Sequence, residues 1–231
     1  MKSIDERLAA AGVPKRHVGC SFGTFLPREG TEKAIDVAKA WVEDDRPGRG
    51  LLLVGPPGSG KTALMVAAIR ARMDREMEER SREVDIAGLA SREVYRRLWR
   101  PAFRVVPLLL DDLRSSIRFP DSEAETDFRF VRDDADLLVL DDLGKEKPTD
   151  WAAERIFALV EKRYGDMRST CATTNLALDQ LADNGYHALV SRLTETCDVV
   201  RMTASDFRPE KGRSSPVDGA VTVTVHRVGS R

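Results

Sequence analysis

The sequence is poor in the residues that bind structural metals or form disulfides. It has 3 histidines and 3 cysteines in 231 residues, and Cys20, Cys171 and Cys197 lie far apart with no Cys-x-x-Cys pair among them. Protein zinc sites usually need about four such ligands, often in closely spaced pairs, so a zinc site is not expected. Scattered cysteines are typical of proteins in the reducing cytosol.

Long apolar runs and an excess of one charge are also absent. No apolar stretch approaches the ~20 residues needed to cross a bilayer. The first residues, MKSIDERLAAAG, include acidic side chains and lack the apolar run of a signal peptide. Basic and acidic residues number 37 and 38, so no net field draws the protein to nucleic acid or to a membrane, and any DNA contact needs a local basic patch. We therefore expect a cytoplasmic protein without membrane contact.

The distribution of apolar residues predicts a single α/β domain with a mostly parallel sheet flanked by helices. Leu51-Leu52-Leu53-Val54 is a continuous apolar run that ends at Gly55, as expected of a strand buried on both faces of a parallel sheet. Similar patterns predict strands at 51–54, 137–140, 169–173 and 198–202, an apolar segment around 105–110, and helices at 3–11, after Thr31, from 61 to about 80, around 121–134 and at 149–168. An alternating pattern near the C-terminus predicts one further strand, which could add an edge strand to the sheet.

The segment 74–104 is dense in arginine and glutamate and has two interpretations. Its arginines could form a basic face or strip, or the segment could be a solvated helix with internal ion pairs, which is the commoner arrangement. The arginines in question are Arg92, Arg96, Arg97, Arg100 and Arg104.

A complete phosphate-binding loop follows the first predicted strand and opens the next helix. The glycines let backbone amides point at a phosphate, and the helix N-terminus adds partial positive charge. Lys61 brings a full charge to the β- and γ-phosphates, and the Thr62 hydroxyl is placed to bind Mg²⁺. The sequence therefore predicts a P-loop ATPase. The predicted nucleotide-binding residues are Gly55, Pro56, Pro57, Gly58, Ser59, Gly60, Lys61, Thr62 and Ala63.

Such an ATPase also needs a carboxylate at a strand end, and two acidic pairs are candidates. Asp111-Asp112 lies between Pro107 and LRSSIR, which indicates the start of a helix. Asp141-Asp142 follows a cleaner apolar strand and precedes a glycine, so this pair is favoured. Asp141 would hold Mg²⁺ through water, and Asp142 would orient and deprotonate the attacking water.

Three polar residues further along the chain are candidates to sense or stabilise the γ-phosphate. Asn175 follows a predicted strand, and its amide can hydrogen-bond both the phosphate and the water. Arg192, in a helix, and Arg208, in Asp206-Phe207-Arg208, could balance the charge of the transition state, one in a neighbouring subunit and one in its own.

The string Leu137-Leu138-Val139-Leu140-Asp141-Asp142-Leu143-Gly144 resembles the Walker B region of AAA+ ATPases of the helicase-loader class. Further similarity lies in Lys162-Arg163-Tyr164, Thr173-Thr174-Asn175-Leu176, Gly12-Val13-Pro14 and Phe22-Gly23-Thr24-Phe25. The family comprises DnaC-type loaders and related IstB-type transposition helpers, and the similarity covers roughly residues 8–208.

The resemblance implies a role for each matching residue. Gly55 to Thr62 is Walker A, Asp141 with Asp142 is Walker B, Asn175 is sensor 1, Arg192 is the arginine finger and Arg208 is sensor 2. The Phe22–Phe25 loop would lie near the adenine. Residues 1–20 would form a short N-terminal extension, 21–208 the ATPase core and 209–231 a tail, with little or no C-terminal lid domain.

The function implied by the resemblance is that of a DNA replication helicase loader or remodeller. It would bind ATP and Mg²⁺, hydrolyse ATP, assemble into an ATP-dependent homo-oligomer, engage single-stranded DNA and position a replicative helicase. One alternative is a transposition helper that acts on duplex DNA and activates a transposase. Another is a nucleotide-gated binding module with weak hydrolysis. A small-molecule kinase is disfavoured, because the polar residues follow in loader order and no acceptor-binding lid is evident.

Overall fold

The computed structural model describes residues 2–87, 98–116, 122–146 and 149–207. Five strands form its sheet: β1 Gly50–Val54, β2 Pro101–Val105, β3 Leu137–Leu143, β4 Ser169–Thr174 and β5 Cys197–Arg201. The helices are α1 Ile4–Ala10, α2 Glu32–Val42, α3 Lys61–Ala87, α4 Val106–Ser116, α5 Glu123–Arg129, α6 Asp150–Gly165, α7 Leu178–Leu181 and α8 His187–Thr196. A 3₁₀ turn spans Lys15–His17, and π-helical turns extend α5 over Phe130–Asp134 and α7 over Ala182–Tyr186.

All strand pairs in the sheet are parallel, and the strand order is β2-β3-β4-β1-β5. Leu51 and Leu53 of β1 pack on one face with α1, α2 and α3, whereas Leu52 and Val54 pack on the other with α4, α5, α6 and α8. The central strands are therefore buried on both faces, which explains their continuous apolar runs. The predicted fold class, an α/β P-loop fold with a mostly parallel sheet, is confirmed.

The apolar segment around 105–110 is divided between two elements. Strand β2 ends at Val105, and α4 begins at Val106, so most of this segment faces the core from a helix. Asp111 and Asp112 are exposed on α4, because α4 buries the face formed by Val106, Leu109, Leu110 and Leu113.

The charged segment forms ion pairs where the structure describes it. Arg75 pairs with Glu79 one helical turn further along α3, as expected of a solvated helix. Arg100 stacks 5.4 Å from the Phe130 ring centroid, and Arg104, in β2, pairs with Asp127. Arg92, Arg96 and Arg97 lie outside the described residues, as does the predicted C-terminal strand within 209–231.

None of the helices within residues 2–87, 98–116, 122–146 and 149–207 is both long enough and apolar enough to cross a membrane.

Candidate functional site

The carboxyl ends of three adjacent strands bring most of the candidate residues together. The P-loop follows β1, Asp141 and Asp142 end β3, and Asn175 follows β4, which lies between the other two. The Gly55 N–H donates to the Thr174 carbonyl at 3.1 Å, so Asn175, the next residue, lies directly beside the loop. Ligands of open parallel sheets bind at this edge.

The P-loop backbone depends on glycine at two positions. Gly58 and Gly60 have φ angles of +74° and +98°, a region that side chains disfavour. A Cβ at Gly58 would lie 1.8 Å from Asp206 Oδ1, and one at Gly60 would lie 3.1 Å from the Phe25 ring. Both positions therefore need glycine, because the backbone is left-handed there and the side chains of Asp206 and Phe25 lie close to it. Phe25 belongs to the loop that the resemblance places near the adenine.

Lys61 lies inside the loop, with 5% of its surface exposed. Its ammonium donates to the carbonyls of Gly55 and Pro56, each at 2.8 Å, and to Ser59 Oγ at 3.4 Å. A positive charge is thus held at the N-terminus of α3, where the helix already favours anions. The arrangement is suited to phosphate oxygens.

Thr62 and Asp141 bring two oxygen-bearing side chains together between the P-loop helix and β3. The Thr62 hydroxyl donates to Asp141 Oδ1 at 3.0 Å and lies 3.3 Å from Oδ2. Burial is the main cause that raises the pKa of Asp141, and hydrogen bonds from Thr173 and Thr62 oppose it. Hard oxygen ligands of this kind fit Mg²⁺, which also compensates a buried negative charge.

A β-bulge sets the orientation of Asp142. Leu140 pairs with Ala172 and Leu143 with Thr174, so β3 has one more residue than β4 across this interval. Asp142 has a φ of +59°, a left-handed conformation that costs most side chains ~1–3 kcal/mol and is enriched at functional sites. Its side chain pairs with Lys145 at 3.1 Å and is 26% exposed, so a solvent molecule can approach it.

Thr173 connects the two aspartates, although the sequence analysis assigned a role only to Asn175, two residues later. Its buried hydroxyl donates to Asp141 Oδ1 at 2.7 Å and accepts the Asp142 N–H at 3.0 Å. The available signal was a pair of threonines, Thr173 and Thr174, at the end of a central strand. Glu146 and Tyr186, a buried pair behind the same turn, had no such signal.

Arg192 lies toward the amino ends of the strands, away from the end of the sheet that carries the P-loop. Helices α6 and α8 end just before β4 and β5 begin, so their last turns lie at the amino ends of the strands. Near the end of α8, Arg192 is bonded to Glu161 at 2.7 Å and stacks 4.6 Å from the centroid of the Tyr164 ring. A strand of this length separates the two ends of the sheet by ~17 Å, so Arg192 does not reach its own P-loop.

The chain after β5 covers the P-loop as far as the structure describes it. The Phe207 N–H donates to the Gly58 carbonyl at 3.2 Å, and Arg28 lies 4.7 Å over the Phe207 ring centroid. Arg208, the residue that resembles sensor 2, lies outside the described residues.

Comparison with known proteins shows the same fold in DNA replication proteins. No family model matches the chain. The uncharacterized protein YdaV of Escherichia coli (strain K12) is 23% identical over 83% of this chain and 68% of its own length. YqaM of Bacillus subtilis (strain 168), also uncharacterized, is 23% identical over 85% of this chain, which spans only 58% of it.

Three solved structures give the architectural comparison. The DnaC helicase loader has a TM-score of 0.65 and 24% identity, covering 82% of this chain and 99% of its own. DnaI has a TM-score of 0.62 and 21% identity, covering 84% and 94%. The replication initiator DnaA bound to AMPPCP and single-stranded DNA has a TM-score of 0.55 and 19% identity, covering 84% and 51%. The resemblance to AAA+ ATPases of the helicase-loader class is thereby confirmed as a likeness of fold.

Proposed function

We propose that this chain binds and hydrolyses ATP and uses the cycle, as an ATP-dependent oligomer, to load or remodel a replicative helicase on single-stranded DNA. The observation that carries the ATPase part is the junction of Thr62, Asp141 and Asp142 beside a P-loop lysine. These groups belong to two segments that are distant in sequence, the start of α3 and the end of β3, and they meet at the carboxyl ends of the strands.

Each residue of this junction has a chemical role in the proposal. Lys61 transfers its hydrogen bonds from loop carbonyls to phosphate oxygens and neutralises charge there. Thr62 and Asp141 would hold Mg²⁺, which would supply positive charge to offset that of the phosphates. Asp142 accepts a proton from water at its carboxylate, which faces solvent beside the loop. Asn175 holds that water and the terminal phosphate in line.

The position of Arg192 supports action between subunits. Arg192 lies toward the amino ends of the strands, and a strand of this length spans ~17 Å to the P-loop end, so in this proposal Arg192 contributes to hydrolysis at the site of a neighbour. In the single chain Glu161 and Glu195 bind its guanidinium, with contacts of 2.7 and 3.5 Å, so the neighbour's phosphates must replace these partners.

The helicase and the single-stranded DNA in this proposal come from the comparisons. Among the solved structures of similar fold are a helicase loader and an initiator bound to AMPPCP and single-stranded DNA. These likenesses favour a replication partner and a single-stranded substrate for this chain over the transposition alternative.

The ATPase is tested with two substitutions and one matched control. Lys61→Ala should weaken ATP binding at least ~10-fold, because a hydrogen bond to a charged group is worth ~1.5–3 kcal/mol. Asp142→Asn should bind ATP normally and stop turnover, since an amide cannot accept the proton. Asp111→Asn, an equal change on exposed α4, should hydrolyse ATP at the wild-type rate.

Fluorescent-nucleotide titration and phosphate release measure these two properties separately. Unchanged affinity in Lys61→Ala would contradict nucleotide binding at this loop. Normal binding without turnover in the wild-type protein would instead indicate a nucleotide-gated binding module.

The loader role needs its own measurement. Single-stranded DNA should stimulate turnover more than a duplex of the same sequence. Asp142→Asn protein held with ATP should retain a helicase from the native cell. Retention of a transposase and preference for duplex would favour the transposition helper.

A further inference from the structure

A buried carboxylate lies four residues beyond Asp142 in the turn that leaves β3. Glu146 is 8% exposed, and its two carboxylate oxygens each lie 3.1 Å from the Gly144 nitrogen, whose N–H they accept. The Tyr186 hydroxyl, itself on a residue 2% exposed, donates to Glu146 Oε1. Burial and this hydrogen bond raise the pKa of Tyr186, so its hydroxyl remains a donor.

The hydrogen bonds of Glu146 fix the conformation of the whole turn. Gly144 has a φ of +81°, and the Lys145 N–H donates to the Asp142 carbonyl at 3.2 Å. A Cβ at Gly144 would lie 2.8 Å from methyl groups of Leu176 and Leu181, so the turn is pressed against the segment that follows Asn175. Holding Gly144 therefore restrains Asp142, two residues earlier, in its left-handed conformation.

A carboxylate is a costly way to stabilise a turn. Burying a charge is unfavourable unless hydrogen bonds compensate it, and apolar residues of similar volume often stabilise a fold as well or better. What the carboxylate adds is direction, because it binds one N–H and one O–H at defined positions.

We propose that Glu146 and Tyr186 are positioning residues that hold the Asp142 carboxylate in the orientation needed for hydrolysis. The inference rests on the proposed role of Asp142 as the base. It also gives the site a mechanical connection, since Tyr186 directly precedes α8, the helix that carries Arg192. If α8 moved at a subunit contact, Tyr186 would move with it, and the hydrogen bond from Tyr186 to Glu146 would displace the turn that holds Asp142.

The direct test is Tyr186→Phe, which removes the hydroxyl and keeps the ring in the core. We expect unchanged ATP affinity and a kcat at least ~10-fold lower, because the loss of one strong hydrogen bond corresponds to that factor when it is expressed in the barrier. Ile156→Val, a buried change on α6, is the control for lost stability and should retain the wild-type kcat.

Two further variants keep the test decisive. Glu146→Gln places a side-chain N–H₂ against the Gly144 N–H, donor facing donor, and should lower kcat in the same way. In an Asp142→Asn background Tyr186→Phe should cause no further loss of turnover, because there is no carboxylate left to position.

The outcomes separate this inference from the proposed function. A wild-type kcat in both Tyr186→Phe and Glu146→Gln would overturn the positioning role alone. A loss of activity no larger than the loss of folded protein in the same variant would also overturn it. A wild-type kcat in Asp142→Asn would overturn the assignment of the base on which the inference rests.

Discussion

Removing the Thr173 hydroxyl should damage hydrolysis far more than its size suggests. Thr173→Val keeps the shape of the side chain but removes one hydrogen bond from each of two polar groups. Asp141 Oδ1, now 2.7 Å from the hydroxyl, keeps only its bond from Thr62, and the Asp142 N–H, now 3.0 Å from the hydroxyl, loses its acceptor. Both lie where β3 and β4 meet, at a residue that is fully buried, so water does not readily replace the lost contacts.

The expected magnitude follows from these two hydrogen bonds. The bond to the carboxylate is worth ~1.5–3 kcal/mol and the backbone bond ~0.5–1.5 kcal/mol, so Thr173→Val should destabilise the fold by ~2–4 kcal/mol. In a domain of this size the melting temperature should fall by ~5–15 °C. Once its N–H is released, the strained backbone of Asp142 can relax, and a displacement of ~1 Å costs ~10²-fold in rate.

Two controls distinguish positioning from simple loss of stability. Thr173→Ser keeps the hydroxyl and loses one methyl group, so it should retain most turnover at a stability cost of ~1 kcal/mol. Thr170→Val acts on the same strand at the other end, where the hydroxyl accepts from the Arg163 guanidinium at 3.1 Å. It should destabilise the fold without lowering the kcat of the folded protein.

The assay is steady-state phosphate release below the melting temperature of every variant, with ATP affinity measured in parallel. Equal kcat values for Thr173→Val and Thr170→Val would refute the reasoning, because the hydroxyl would then matter only for the fold.

Two further predictions concern charge. Because burial raises the pKa of Asp141, the folded state binds its proton more tightly than the unfolded state, so ionisation costs stability as pH rises through this range. Without nucleotide and Mg²⁺, Asp141→Asn should therefore melt higher than wild type at neutral pH, and the difference should vanish below pH ~3.8; a lower melting temperature at neutral pH would contradict this. Arg192→Ala should bind ATP yet hydrolyse it ~10³–10⁵-fold more slowly, and mixing it with Lys61→Ala subunits, which still supply Arg192, should restore turnover. Turnover independent of protein concentration, with no recovery on mixing, would count against a shared site.

Several features of the fold could be predicted because their signals are contiguous in the chain. The apolar run 51–54, the glycine turn and the helix from Lys61 form one strand-loop-helix unit, and the placement of such a unit in a parallel sheet follows from burial on both faces. The distinction between the two acidic pairs was also local, since a pair after a proline favours a helix start whereas a pair after an apolar run favours a strand end. Asp111 and Asp112 lie on exposed α4, and Asp141 and Asp142 lie beside the P-loop.

Other features depend on contacts between segments that are distant in sequence. Thr173 meets both aspartates only because a bulge shifts the register between β3 and β4, and the spacing of residues in either strand does not contain that shift. Arg100 and Arg104 belong by composition to a basic segment, yet Phe130 and Asp127 hold them separately.

The sequence by itself determined the parallel α/β sheet and the phosphate loop, because burial periodicity and glycine conformation act within a few residues. The tertiary structure alone decided the left-handed Asp142, the buried Glu146–Tyr186 pair and the placement of Arg192 toward the amino ends of the strands. The physical reason is that the strength of a hydrogen bond falls when its atoms move by fractions of an ångström. Only the packing of neighbouring strands and helices fixes positions that finely.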